Sequence, residues 1–441
     1  MPTHIAPLAG VRYSPRVVPD LGTIMTPPYD VISNAERAAY MVQSPYSMIH
    51  LILGAEHAND TVDNNRFTRA ARLLREWRRT GVLVPEHQPA LYLYQQEFTL
   101  DGGVLRRMGF ISRVRLADYQ EGIIFPHEQT FAGPKADLLR LWRACQANLS
   151  QVFAVYGDAT YALEAVLAPV LAQPPRCEVR HWQEGTHRLW VVTDPQVLTQ
   201  VQQVMQDKPL VIADGHHRYE TALTLRNELR QQHPAAPGMA AYDYVMMYCA
   251  NIYDPGLRVL PTHRLIQQMP VPHLEALLHQ LAWVQTEVQR RAAHESLQQW
   301  QQHLETLLRE RQGPHSTFAV YAGGDCCYML TVPRAVAVQQ VQSPPASAAW
   351  KQLDVSVLHY ALLPALQAML PAAQPGITYA SAGEAVLHTV ACGAADLAVL
   401  LQPTPLDQMV TIAMGGERMP HKSTYFYPKL PTGLVINCFD V

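Results

Sequence analysis

The sequence predicts an α/β (α+β) fold built on a mixed sheet, and three observations carry that expectation. Apolar or alternating strand-like runs recur between segments with helical periodicity. Two strand runs flank Asp101-Gly102-Gly103, a hairpin signal. A short apolar run, Pro209 to Ala213, leads straight into Asp214-Gly215-His216-His217-Arg218 and then a helical stretch.

Along the chain, a turn-rich entry ends in Thr26-Pro27-Pro28-Tyr29-Asp30, after which Ser33 and Glu36 form a capping-box signature. Residues 62 to 80 place Phe67, Ala70, Ala71, Leu74 and Trp77 at helical spacing, and Gly81 is the expected stop. Leu91 to Phe98 and Arg106 to Val114 read as the hairpin strands. Helices are expected over 160 to 172, 197 to 205 and 219 to 232, with strands at Arg188 to Val192 and Tyr244 to Asn251. Residues 272 to 312 are rich in Gln, His, Glu and Leu and read as one or two solvated helices. A hairpin is expected around Gly323-Gly324-Asp325. Residues 354 to 370 and 382 to 392 read as helices separated by Pro371 and Pro375. The length suggests two or three domains; the division expected is 1 to 265 and 266 to 441, with a catalytic core over about 90 to 260. In this division the 415 to 429 loop of the second domain completes the site.

Hydrophobic residues make up 48% of the chain and charged residues 16%, enough to bury a large core and to argue against long disorder. A net charge of -3 argues against a dedicated nucleic-acid binder, which normally carries a basic face. The first residues have no charged head and apolar run of a signal peptide, and apolar stretches such as Leu397 to Leu401 are far shorter than a membrane span. Seven cysteines without a Cys-x-x-Cys pair argue against a structural zinc site or disulfide framework. A cytoplasmic protein is expected, with no membrane partner; homo-oligomerisation stays open.

The chemistry concentrates at Asp214 to Arg218. Gly215 permits a tight turn, and His216, His217 and Arg218 then fall where helix N–H groups favour an anion. Arg218 is suited to bidentate contact with phosphate, and two imidazoles add donors or a proton shuttle. Adjacent histidines also fit a metal site, and Asp214 a purely structural cap. A second constellation, Phe125 to Asp137, offers His127, Glu128, Thr130 and Lys135 around a Gly133-Pro134 turn. Glu128 is suited to proton transfer and Lys135 to charge neutralisation, although a plain polar loop explains the segment equally well. A third, Gly415-Gly416 to Lys422-Ser423-Thr424 and Lys429, suits phosphate contact without being a Walker A sequence. Tyr29 and Asp30 sit on a rigid turn that suits either ligand contact or structure. Leu260-Pro261-Thr262-His263-Arg264 reads as another compact polar turn.

Five of these motifs together make the chain resemble the family called domain of unknown function 1015 (DUF1015). They are Pro27-Pro28-Tyr29-Asp30-Val31, His127-Glu128 with Gly133-Pro134-Lys135-Ala136-Asp137, and Ala213 to Tyr219, then Leu260 to Arg264, and Met419-Pro420 with Lys422 to Phe426. Leu138 departs from the pattern where arginine is usual, and His421 where proline is common. The Asp-Gly-His-His-Arg turn also looks like that of free-serine kinases in the ParB and sulfiredoxin superfamily. That resemblance implies a ParB/sulfiredoxin-like nucleotide-binding core with an additional α/β lobe. It implies nucleotide phosphates at Asp214, Gly215, His216, His217 and Arg218, assisted by Thr130 and Lys135. Glu128, with His127, His216 and His217, becomes the catalytic set, and Tyr29, Asp30, Lys422, Ser423, Thr424 and Lys429 the substrate contacts. The implied ligands are ATP or ADP with Mg, and a small amino acid, serine or phosphoserine; no protein metal site is expected. A ParB-like nucleotide-gated regulator and a phosphatase using the same pocket are the alternative activities.

Overall fold

The computed structural model describes residues 2–183, 185–233, 239–311, 313–342, 346–370, 374–381 and 385–439. They fall into two compact units. The first comprises Met1–Pro126, Thr130–Leu257 and Pro428–Val441; the second comprises His127–Gln129 and Arg258–Tyr427.

In the first unit, nine strands among the described residues form one mixed sheet. From one edge the order is Ile124–Pro126, Leu210–Asp214, Val152–Tyr156, Tyr244–Asn251, Gly103–Arg115, Leu91–Leu100, Gly185–Val192 and Cys177–Trp182, with Ile5–Ala6 also on Gly103–Arg115. Leu210–Asp214 runs parallel to Ile124–Pro126, and Tyr244–Asn251 parallel to Val152–Tyr156; the remaining pairs are antiparallel. Every residue of the central strand Tyr244–Asn251 is buried, which explains its continuous apolar character. The Leu91–Leu100/Gly103–Arg115 hairpin turns through Asp101 and Gly102, both with positive φ (50° and 76°), as a primed two-residue turn requires. Helix Arg66–Arg79 starts later than its periodicity suggests, because Asn65 caps it through Phe67 and Thr68 N–H groups. The capping box of Ser33 and Glu36 is present.

In the second unit a six-stranded antiparallel sheet runs Gln285–Arg290, Cys326–Pro333, His315–Tyr321, Leu397–Leu400, Thr262–Gln267 and Gly376–Ser381 among the described residues. Helix Leu297–Glu310 buries Trp300, Leu304 and Leu308, spaced by one turn, against Tyr321, Met329 and Leu400.

Several expectations are corrected here. The 272 to 312 region is not only helical: Gln285–Arg290 is a strand between helices Leu274–His279 and Leu297–Glu310. It lies at the sheet edge, where its residues are exposed or half-buried and mostly polar, leaving no apolar alternation to read. Thr262-His263-Arg264 begins a strand, Thr262–Gln267, rather than forming a turn; all three residues are buried. Gly133-Pro134 is not a turn, because helix Ala132–Cys145 already includes it, and a first turn tolerates proline. Tyr425–Tyr427 in the C-terminal loop is a strand on Arg258–Leu260. The 354 to 370 helix passes through a π-helical segment at Leu358–Leu362. Of the 382 to 392 helix, Val386–Ala391 is present, while 382 to 384, like Pro371, lie outside the described residues. Among the described residues no helix is long and apolar enough to cross a membrane.

Candidate functional site

In the first unit, strand Leu210–Asp214 ends at Asp214, Gly215 turns the chain, and helix His216–Gln232 begins. Gly215 has φ 88°, a left-handed conformation that disfavours a side chain. A Cβ here would also stand 2.7 Å from Arg218 Nε, so a side chain would have to displace that guanidinium. Arg218 folds back under the turn: one guanidinium nitrogen donates to the Gln151 carbonyl and another lies 3.3 Å from Asp214 Oδ1. Its side chain is buried.

The second Asp214 oxygen accepts from Lys429 Nζ at 2.8 Å. Burial alone would raise the Asp214 carboxyl, but Lys429, Arg218 and His216 more than offset it and hold the group below the ordinary carboxylate range. Lys429 is placed by the C-terminal segment. Its own carbonyl accepts from Gln96 Nε2 at 3.0 Å, the Pro428 carbonyl from buried Arg107 at 2.7 Å, and the Pro431 carbonyl from Gln151 at 3.0 Å.

His217 Nε2 accepts the Phe131 N–H at 3.0 Å and its ring stacks on Phe131. That geometry requires a lone pair on Nε2. One turn on, Glu220 gathers Thr130 Oγ1 at 2.5 Å and Lys135 Nζ at 2.8 Å. Thr130 and Lys135 are therefore organised by a carboxylate the sequence reading did not single out; its signal was its position one helical turn beyond His216. Tyr29 is half-buried and Asp30 exposed, on a short 3-10 turn. Burial, then the charge of Asp30, push the Tyr29 phenol upward, while Arg218 opposes the rise.

The second unit holds its own polar cluster. Glu128 Oε1 lies 2.7 Å from His421 Nδ1, and Glu128 bridges to Met419 in parallel register. His127 is fully buried, with Nε2 2.8 Å from Thr424 Oγ1 and its carbonyl accepting the Met419 N–H at 2.7 Å. Beneath them, buried Arg264 donates to His359 Nε2 at 3.2 Å and to the Lys422 carbonyl at 3.0 Å, and its guanidinium lies 5.3 Å from the Tyr379 ring centre. Burial lowers Arg264 to about 10 and, with Arg264 nearby, His359 to about 3. Lys422 adopts φ 55°. Ser423 donates to the Pro420 carbonyl at 2.5 Å and so holds its own loop together, while Thr424 ties that loop to His127.

The first unit thus brings together Asp214, Gly215, Arg218 and Lys429, and joins Thr130 and Lys135 through Glu220. The second brings together His127, Glu128 and the 419–424 segment. A family model described as "Protein of unknown function (DUF1015)" matches residues 5–356. The chain belongs to the DUF1015 family. No curated protein matches this DUF1015 chain. Among solved structures, a conserved hypothetical protein from Pyrococcus furiosus is 13% identical, with 72% of this chain and 93% of that one covered, at a TM-score of 0.33. A free serine kinase in complex with AMP is 11% identical, covering 71% and 89%, TM-score 0.33. SbnI with C-terminal truncation, from Staphylococcus aureus, is 8% identical, covering 74% and 87%, TM-score 0.34. Likenesses of this size carry no inference about what the DUF1015 chain binds.

Proposed function

We propose that the chain is a nucleotide-dependent phosphotransferase linking L-serine or phosphoserine with an adenine nucleotide. The observation that supports it best is the strand–glycine–helix corner, where Asp214 is kept ionised between Lys429 and Arg218 at the mouth of a 17-residue helix. Phosphoryl transfer asks a protein mainly for positioning and charge neutralisation. In this reading the first turn of helix His216–Gln232 receives the phosphates, and Lys429 supplies neutralising charge there. Arg218 works from beneath, fixing Asp214 and the Gln151 carbonyl.

Mg would travel with the nucleotide. Phosphate oxygens, water and at most one carboxylate would hold it. When bound, Mg would spread the developing phosphoryl charge. In the direction from phosphoserine, the bond between serine Oγ and phosphorus breaks and one forms between phosphorus and a β-phosphate oxygen of ADP. The serine oxygen takes up a proton in this direction and gives one up in reverse.

The test is ³¹P NMR of the purified chain with Mg, ADP and phosphoserine, and separately with ATP and serine. ATP formation in the first mixture, or phosphoserine in the second, supports the proposal. Inorganic phosphate released from phosphoserine without ADP would replace it with a phosphatase, and silence in both mixtures would remove it.

A further inference from the structure

A cavity of about 360 Å³ opens in the first unit, within the roughly 300–1,000 Å³ span of small-molecule pockets. Its wall is mainly apolar, formed by Leu51, Leu53, Phe67, Leu138 and Leu141. Two motifs noted in the sequence converge on it: Tyr29 from the Pro-Pro-Tyr-Asp turn, and Pro134 with Asp137 from the Gly-Pro-Lys-Ala-Asp segment. Leu138 contributes a buried aliphatic surface.

Two features select the occupant. The Arg66 guanidinium lies 4.7 Å from the centre of the Phe67 ring, a cation–aromatic wall of the sort on which a nucleobase stacks. Arg66 also donates to Asp137 Oδ2 at 2.7 Å, so the carboxylate is held at the rim with capacity for a further donor such as an exocyclic amine. Helix Ala132–Cys145 joins the cavity to the Asp214 corner: its Asp137 and Leu138 line the cavity while its Lys135 donates to Glu220, one turn beyond His216, and Tyr29, also on the lining, feels the charges of Asp214 and Arg218.

We infer that this cavity holds the base of the nucleotide whose phosphates occupy the first turn of helix His216–Gln232, with Tyr29 at the junction between base and phosphate. The inference rests on the phosphotransferase reading for its phosphate end. It adds the base pocket and the discrimination between a nucleotide and a bare phosphoryl compound.

Calorimetric titration of the full chain with ADP, adenosine and pyrophosphate, each with Mg, tests it. Leu138→Trp fills the cavity, and Phe67→Ala strips its aromatic wall from a half-exposed position; circular dichroism verifies the fold of each. Both variants are expected to lose roughly tenfold or more in ADP and adenosine affinity, about one to two factors of ten in Kd, while pyrophosphate binds as in wild type. If Leu138→Trp does not fold, Phe67→Ala alone decides. Folded variants that bind ADP as wild type does would overturn the base pocket and leave the phosphate corner standing. Wild-type protein that binds pyrophosphate but no nucleotide would also overturn it. If neither ligand binds, the phosphotransferase reading falls, and the cavity assignment with it.

Discussion

Lys429 and Asp214 lie 215 positions apart in the chain, yet the lysine ammonium donates to the aspartate carboxylate at 2.8 Å. The pair fastens the C-terminal segment to the end of strand Leu210–Asp214, and neither side chain is more than 17% exposed. Cutting such a pair on one side strands the other charge in a poorly solvated place.

Lys429→Met should therefore lower stability by about 1–3 kcal/mol. Asp214→Asn should recover part of that loss in the double variant, because the stranded carboxylate is gone. Urea denaturation of both single variants and the double variant measures the coupling; strict additivity would show that the ion pair contributes nothing.

Gly215→Ala should destabilise the fold by about 1–3 kcal/mol, since φ 88° is costly for a side chain and the new methyl meets Arg218 Nε. The displaced guanidinium would also release the Gln151 carbonyl. Denaturation and pyrophosphate titration on the same sample should both show loss; unchanged stability would mean the turn has another conformation.

Glu128→Gln keeps the shape and the bridge to Met419 but removes the carboxylate beside His421 to which the family resemblance assigns proton transfer. Nucleotide affinity should stay within about twofold of wild type, while turnover falls by roughly 10²–10⁴-fold. Steady-state kinetics with separate binding measurements check this, and wild-type turnover in the variant would take Glu128 out of the chemistry.

Two histidines make the fold acid-sensitive. Burial, the main cause in each, lowers His187 to about 4 and His359 to about 3 from an ordinary value of 6.5. Between those values and 6.5 the unfolded chain binds protons that the folded chain does not, so stability must fall as pH falls through that window. The slope is at most about 1.4 kcal/mol per pH unit for each histidine. Urea midpoints from pH 7 to pH 5 should show it, and the slope should flatten in His187→Asn and His359→Asn; an unchanged slope would assign the effect elsewhere.

The strand and helix flanking Gly215 were legible because an apolar run, a glycine and a long helical stretch follow one another directly. The direction of Arg218 was not. Three residues after Gly215, its side chain lies back along the helix toward the strand end, where Gln151 and Asp214 wait. Lys429 was legible as a cation but not as the partner of Asp214, since sequence separation hides such a pair. Glu220 looked like an ordinary solvent-facing helix residue until Thr130 and Lys135 were brought to it. The strand Gln285–Arg290 was missed because an edge strand with both faces polar has no periodicity to distinguish it from a solvated helix.

Crystals of the chain grown with ADP and Mg test the account at its centre. We expect the phosphate oxygens within hydrogen-bonding distance of the backbone N–H groups at His216 and His217, beside Lys429. Phosphates bound anywhere else in the molecule, with that corner unchanged, would contradict it.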